Sequence, residues 1–362
     1  MKVRATVLAL TAALCVLSSP TSTEAASNFT DVDILNFALN LECLEAEFYS
    51  WVAYGEGIYT VNSTLVGTGS SLTANSSGAT GRNLSTFSAT AVAIATEIAE
   101  NEIAHVRYLR AALTAAGATP VPCPSLALSP AIFTAAATAA VSALNATIAT
   151  DTSATAFNPY SSDAAFYLGA YIFEDVGVTA YKGAVKVLQS QAFATVAAGI
   201  EAVEAGHAAI IRYQLYQIAS SYTGLHLSDG TAISFETAVT AINALRDALG
   251  GTSSNSVESP LTRTPTAVAG VTTGPDLFAA DANSVAYTRI PKQVLDIVYF
   301  GSYTSPGGFF PHGIAGNTDV DNINGTVTTH SCASGALSVS SLSTFVPLLV
   351  ASIAVVCGVL YY

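Results

Sequence analysis

Two short patterns in this chain have the residue types and the spacing to hold a metal ion. Glu102-Ile103-Ala104-His105 and Glu204-Ala205-Gly206-His207 are both Glu-x-x-His. On an α-helix, residues three apart share a face, about one turn from each other. A carboxylate and an imidazole so placed address a single point. One such pair is weak evidence, because charged side chains are mostly solvated. Two pairs in a chain with only 5 His are harder to dismiss. Two further helical stretches offer carboxylates: Glu42, Glu45 and Glu47 in one, Glu174 in the other. A Glu from each of two helices, plus Glu-x-x-His from each of two more, is the donor set of a carboxylate-bridged two-metal centre in a helix bundle. Burying that many carboxylates without cations would be very costly, so inward placement implies a metal. Carboxylate and imidazole donors without thiolate suit iron or manganese, and the expected cofactor is two iron ions (or manganese).

Four stretches with helical period are available to position these groups. The first runs from about Asp31 to Tyr54, with Thr30 and Asp33 as an N-terminal cap and Ile34, Leu35, Ala38, Leu41 and Phe48 recurring every three to four residues. The second runs from about Ser88 to Ala116, closed by Gly117 and Pro120. The third spans about Asp163 to Leu188, and the fourth about Ala192 to Tyr222. None of them shows strand-like alternation. More than forty residues separate the second from the third, including Pro120–Pro124 and an Ala-rich helical piece near Ala131–Ile148. A connection that long can cross the bundle, so the second and third helices can run parallel, as in bundles of the ferritin type. The expected fold is therefore all-α: a ferritin-like four-helix bundle over residues 28–222 with one long crossover. Residues 223–330 read as an extension packed on the bundle, with a helix at Ser234–Leu249 and a loop-rich remainder holding a short piece at Pro291–Phe300. Within the helices, Glu47 and Asp175 are expected to face solvent. Glu97, Glu100 and Glu201 are expected at the surface or just behind the metal ligands.

The segment Asn40-Leu41-Glu42-Cys43-Leu44-Glu45-Ala46-Glu47-Phe48-Tyr49 resembles the first helix of ferritins, where a ligand Glu is followed seven residues later by a Tyr beside the metal centre. That resemblance selects Glu42 as the helix-one ligand, with Glu45, one turn along the same face, as the alternative. It also implies that Tyr49 stands at the centre, able to donate a hydrogen bond or an electron. Taken with Asp31-Val32-Asp33-Ile34-Leu35-Asn36-Phe37-Ala38-Leu39, the chain resembles the desiccation-related, ferritin-like domain proteins of plants, fungi and bacteria. Arg263-Thr264-Pro265, Pro291 to Tyr299 and Gly307-Gly308-Phe309-Phe310-Pro311-His312-Gly313 are similar to that family's C-terminal pattern. The resemblance covers most of residues 28 to about 317. It implies the ferritin-like fold and the ligands Glu42, Glu102, His105, Glu174, Glu204 and His207, and it associates the chain with stress and desiccation rather than with one reaction.

Composition sets the setting. The chain has 12 Lys+Arg against 25 Asp+Glu, a net charge of −13, so it lacks the basic surface that nucleic acid requires. Met1-Lys2-Val3-Arg4 followed by an apolar run to Leu17 reads as a signal peptide cleaved after Ala25. Near the other end, small residues at Ser331–Ala336, a polar spacer and an apolar stretch from Thr344 to Tyr362 read as a lipid-anchor (GPI) signal, with Ser331 or Ser334 as attachment site. Six Asn-x-Ser/Thr sequons, at Asn28, Asn62, Asn75, Asn83, Asn145 and Asn324, predict N-glycans. Three of them lie in the Gly- and Ser-rich connection from Gly55 to Phe87. With the two terminal signals set aside, Cys43, Cys123 and Cys332 allow at most one disulfide within the chain. The expectation is a glycosylated, lipid-anchored protein of the cell surface. Its centre would handle oxygen species or oxidise metal; the alternative is a non-enzymatic, stress-protective surface glycoprotein. A storage cage is not expected, because the C-terminal extension and the glycans would obstruct a shell.

Overall fold

In a computed structural model, the described residues are 29–148, 156–251, 258–261 and 275–320. The expected leader, the sequons at Asn28 and Asn324, Cys332, the anchor signal and Arg263-Thr264-Pro265 lie outside them.

Thr30 opens the first helix, α1 (Asp31–Tyr54), with a complete capping box. The Thr30 hydroxyl accepts from the backbone N–H of Asp33, and the Asp33 carboxylate accepts from the N–H of Thr30. Gly55 ends the helix in the left-handed conformation, φ 76°, which a side chain would disfavour. One turn, α2 (Ile58–Val61), follows; then come α3 (Ala89–Ala115), the crossover with α4 (Pro130–Ala143), α5 (Asp163–Val187) and α6 (Gln191–Gln217). Helices α1, α3, α5 and α6 form the four-helix bundle. Their directions are fixed at the ends. Asp163 at the start of α5 accepts from the backbone N–H of Ser88 at the start of α3 (2.9 Å), and Asp31 at the start of α1 accepts from that of Ser190 at the start of α6 (2.7 Å). So α3 runs parallel to α5, and α1 to α6, as the long crossover requires.

Helix α1 is buried on every side from Ile34 to Ala53. A helix enclosed all round needs cover beyond its bundle partners, and two irregular segments supply it. The loop between α2 and α3 packs on one side. The C-terminal segment packs on another, where Asn40 donates to the Ala315 carbonyl (3.0 Å) and accepts from the Ala315 N–H (2.7 Å). Glu47 is therefore not solvated, contrary to expectation. It is fully buried and accepts from Trp51 Nε1, Ser77 Oγ and the Ile58 N–H, each at 2.8 Å. Cys43 is joined to Cys123, tying α1 to the segment after α3.

After α6 the chain forms a short antiparallel hairpin, β1 (Tyr222–His226) and β2 (Ala232–Ser234), turning at Asp229-Gly230. This was expected to be helix up to Tyr222 and loop beyond. The Asp-Gly pair is a hairpin signal, and Gly230 takes the positive φ (85°) such a turn demands. Then α7 (Phe235–Gly250) packs on α4, α5 and α6, and α8 (Pro291–Val298) on α5 and α7.

Candidate metal centre

Helix period brings the two Glu-x-x-His pairs to the bundle axis. Glu102 and His105 face inward from α3, and Glu204 and His207 from α6; all four are buried. Glu42 enters from α1 and Glu174 from α5, with 0% and 1% of their surface exposed. Two overlapping groups form. Donor atoms of Glu42, Glu102, His105 and Glu204 lie within 4.8 Å of one another, as do those of Glu174, Glu204 and His207. Nδ1 of His105 stands 3.2 Å from Glu42, 3.1 Å from Glu102 and 3.4 Å from Glu204. Nδ1 of His207 stands 2.9 Å from Glu102 and 3.6 Å from Glu174. Thus Glu204 belongs to both groups, and Glu102 reaches the second histidine as well as its own. Such a pair of shared carboxylates can bridge two positions. Glu45 falls in neither group; its buried carboxylate lies beside them, opposite Gly177. A Cβ at Gly177 would come within 2.7 Å of Glu204 Oε2 and 3.4 Å of Glu45 Oε1, so the glycine makes room for both acids.

Only part of this donor set is satisfied internally: His105 Nδ1 bonds Glu42 (3.2 Å) and Glu102 (3.1 Å). Glu102 Oε1, Glu174 Oε2, both oxygens of Glu204 and His207 Nδ1 are buried without a hydrogen-bond partner. The 2.9 Å approach of His207 Nδ1 to Glu102 thus lacks hydrogen-bond geometry: the two atoms point past each other into common space. Buried polar atoms are almost always paired, and orphans gathered at one point fit a cation. The outward atoms, by contrast, are held. Tyr49 donates to Glu174 Oε1 and Tyr181 to Glu42 Oε1, while the Asn101 amide meets His207 Nε2 at 3.1 Å. As placed, the Asn101 Nδ2 faces Nε2 and would donate to it; an imidazole that ligates through Nδ1 carries its proton on Nε2, and accepting that proton requires the Asn101 amide turned over to present its oxygen.

Protonation tells the same story. Burial, then the neighbouring acids, pushes Glu45 and Glu102 well above the usual carboxylate range, and Glu174 likewise. Burial pushes Glu204 up to about 7. Burial would lower His105, but the charge of Glu42 and the bonds to Glu102 and Glu204 hold it well above an ordinary histidine. Burial, aided by the charge on His105, drops His207 to about 4. Glu42 alone among these acids is lowered: burial opposes its charge, and His105 outweighs burial. Burial and the adjoining carboxylates keep Tyr49 and Tyr181 neutral donors. Without cations, the cluster needs protons to exist.

Asp175, next to Glu174, does not face solvent as expected. It is 3% exposed and accepts from Arg212 of α6 (2.9 and 2.7 Å) and Arg246 of α7 (2.8 Å). The reason is α7, which covers the side of α5 that a bare bundle would leave wet. Burial opposes the Asp175 charge, and the two guanidinium groups hold its pKa well below the usual range. Glu97 and Glu100 are exposed and Glu201 is half-buried.

Tyr181 escaped the sequence reading, although a signal for it exists. Adding 132 to Asp31, Glu42 and Tyr49 gives Asp163, Glu174 and Tyr181. Adding 102 to Ser88, Glu102, His105 and Arg110 gives Ser190, Glu204, His207 and Arg212. The hairpin α1/α3 is repeated as α5/α6, and a Tyr seven residues after each helical Glu is part of the repeat.

An antiparallel helix pair repeated across a long crossover, with acids and imidazoles converging inside, defines the ferritin-like class. Residues 30–217 match the ferritin-like domain family, and the chain belongs to it. It is similar to a desiccation-related protein of Craterostigma plantagineum, 32% identical over 298 residues, covering 80% of this chain and 84% of that protein. It is also similar to a ferritin-like catalase of Nesocodon mauritianus, 30% identical over 284 residues, covering 78% and 83%.

Proposed function

We propose that this chain is a two-metal redox protein that breaks down hydrogen peroxide. The observation that carries the metal is the set of five partnerless buried atoms on Glu102, Glu174, Glu204 and His207. Glu42, Glu102 and His105 would hold one ion and Glu174, Glu204 and His207 the other, with Glu102 and Glu204 shared. The carboxylates of Glu42, Glu102, Glu174 and Glu204 carry four negative charges, which two divalent cations balance. Iron or manganese fits the oxygen and nitrogen donors. Bound there, the pair supplies two-electron redox chemistry, which is what converting two H2O2 into two H2O and O2 demands. The name of the Nesocodon relative supports peroxide as substrate. The protein's own part is to hold donors in place before the metal arrives. Tyr49 and Tyr181 pin the outer oxygens of Glu174 and Glu42, and Asn101, with its amide oxygen turned to Nε2, would fix the His207 tautomer. Enclosing side chains such as Leu41, Phe173 and Val176 exclude bulk water. Tyr49, as a neutral phenol on a ligand, can also give up a hydrogen atom.

Placement at the cell surface belongs to the same proposal. The leader and anchor patterns support it. So do the exposed positions of Asn62, Asn75, Asn83 and Asn145, and a disulfide, which suits an oxidising compartment. The test is to purify the chain from metal-replete cells, count its metals by elemental analysis and follow oxygen release from peroxide. Two redox-active ions per chain with turnover are expected. Trace metal only would sink the proposal. Full metal, a large metal-dependent rise in melting temperature and no turnover would favour the stress-protective alternative.

A further inference from the structure

The carboxylates of the centre are sealed; its imidazoles are not. The side chains of Glu42, Glu102 and Glu204 are 0% exposed and that of Glu174 1%, whereas His105 keeps 10% and His207 6%. Both histidines lie on α3 and α6, which pack closely on α1 and α5 respectively but only loosely on each other. On the flank of Glu45, which is itself buried, a small cavity is lined by Leu41, Phe173, Gly177 and Val298, the last from α8. The two imidazoles are therefore the donors of the centre that stand nearest to solvent.

What borders them is small. Ala104 and Gly206 immediately precede the two histidines, occupy equivalent places in the repeat, and are both exposed. A Cβ added at Gly206 would meet nothing within 4 Å, so the space above it is open. The ring centroids of His105 and His207 are 6.4 Å apart. The two rings, tilted 37° to each other, stand at the seam between α3 and α6. The partnerless Nδ1 of His207 and the partnerless oxygens of Glu102 and Glu204 lie buried behind it. On the rim, the Asn101 amide adds one polar group.

We propose that the centre is reached through this mouth between α3 and α6, and that Ala104 and Gly206 set its bore for a molecule as small as hydrogen peroxide. This rests on the peroxide reading above. The bore follows from residues that ligate nothing, so widening or narrowing it leaves the donors intact.

Ala104→Leu and Gly206→Leu, alone and together, test it in the full chain. Gly206→Leu also removes a helix-weakening glycine, so the fold should not suffer. Two readouts separate the mouth from the chemistry. The first needs no metal: hydrogen–deuterium exchange at the imidazole C2 of His105 and His207, with the exposed His226 and His312 as references. The second is peroxide consumption by metal-loaded protein, with tert-butyl hydroperoxide as the bulky comparison. The double variant should keep its metal and melting temperature. It should slow both C2 exchange and peroxide consumption by roughly tenfold or more, about 1.4 kcal/mol on a rate. The unaltered chain should strongly prefer hydrogen peroxide to the bulky peroxide. Exchange at His207 as fast in the double variant as in the unaltered chain overturns the mouth, whatever the turnover. Slowed exchange in a chain that never consumes peroxide keeps the mouth and overturns the peroxide reading instead.

Discussion

The two helical hairpins of this protein agree where they face each other and differ where they face away. Inward, α1/α3 and α5/α6 present the same groups at the same spacing: a Glu, a Tyr seven residues on, and Glu-x-x-His. Outward, the position after the first-helix Glu is Cys43 in one hairpin and Asp175 in the other. Cys43 is bonded to Cys123, across a separation of 80 residues. Asp175 is clamped by Arg212 and Arg246, and Arg246 in turn pairs with Glu258. Arg110, the counterpart of Arg212, donates instead to the carbonyls of Leu65 (2.6 Å) and Val121 (2.9 Å). One hairpin is thus fastened to its neighbouring loops by a covalent link and neutral acceptors, the other to the C-terminal extension by buried ions. The likeness also breaks beside the centre: Glu45 stands against Gly177, Asn101 against Val203 and Ala104 against Gly206. A shared function fixed the inner faces, and different coverings shaped the outer ones.

The largest effect should come from an inner residue. Glu204→Gln removes a carboxylate that belongs to both metal groups, and elemental analysis should find metal lost from both positions. The same variant carries a pH signature. Burial lifts Glu204 to about 7 in the folded, metal-free chain, from an ordinary 4.5. A raised acid favours folding while protonated, so its contribution is whole below pH 4.5 and fades as pH climbs to about 7. Metal-free wild type should lose stability relative to metal-free Glu204→Gln across that window; a difference that stays flat with pH would contradict the burial argument. Next come the outer fastenings. Asp175→Ala leaves two buried guanidinium groups short of a counter-ion and should cost about 3–5 kcal/mol in denaturant unfolding. Replacing Cys43 and Cys123 by Ser should cost about 2–4 kcal/mol, mainly by freeing the unfolded chain. If Asp175→Ala proved harmless, the ion cluster would not be the second hairpin's fastening. The smallest effect tests the asymmetry. Asn101→Ala should weaken metal binding by roughly 10- to 100-fold at the His207 position only. Val203→Ala, a half-exposed residue, should change stability by no more than about 0.5 kcal/mol. Unchanged binding at the His207 position in Asn101→Ala would show that His207 needs no orienting partner.

The bundle and the convergence of its acids and imidazoles were legible because both depend on local period. Thr30, Ser88, Ser162 and Ser190 cap the helices, and helical spacing alone aims Glu102 with His105 and Glu204 with His207 at one side. What the sequence hid was set by distant cover. Glu47 and Asp175 read as solvated because nothing near them in the chain reveals that Ser77 or Arg246 will fold over them. The hairpin at Tyr222–Ser234 was masked by the apolar end of α6, although Asp229-Gly230 marked its turn. Tyr181 was visible only through the repeat, which emerges when the hairpins are laid side by side.

Each phenol serves the other hairpin's acid: Tyr49 of α1 holds Glu174, and Tyr181 of α5 holds Glu42. Asp31 and Asp163 likewise cap the helix starts across the divide. Neither hairpin is a finished receptor by itself, and a chain severed in the crossover would yield two fragments with half a socket each. Cation uptake and the joining of the fragments then become one thermodynamic event, so added iron or manganese should drive the severed pieces to reassemble.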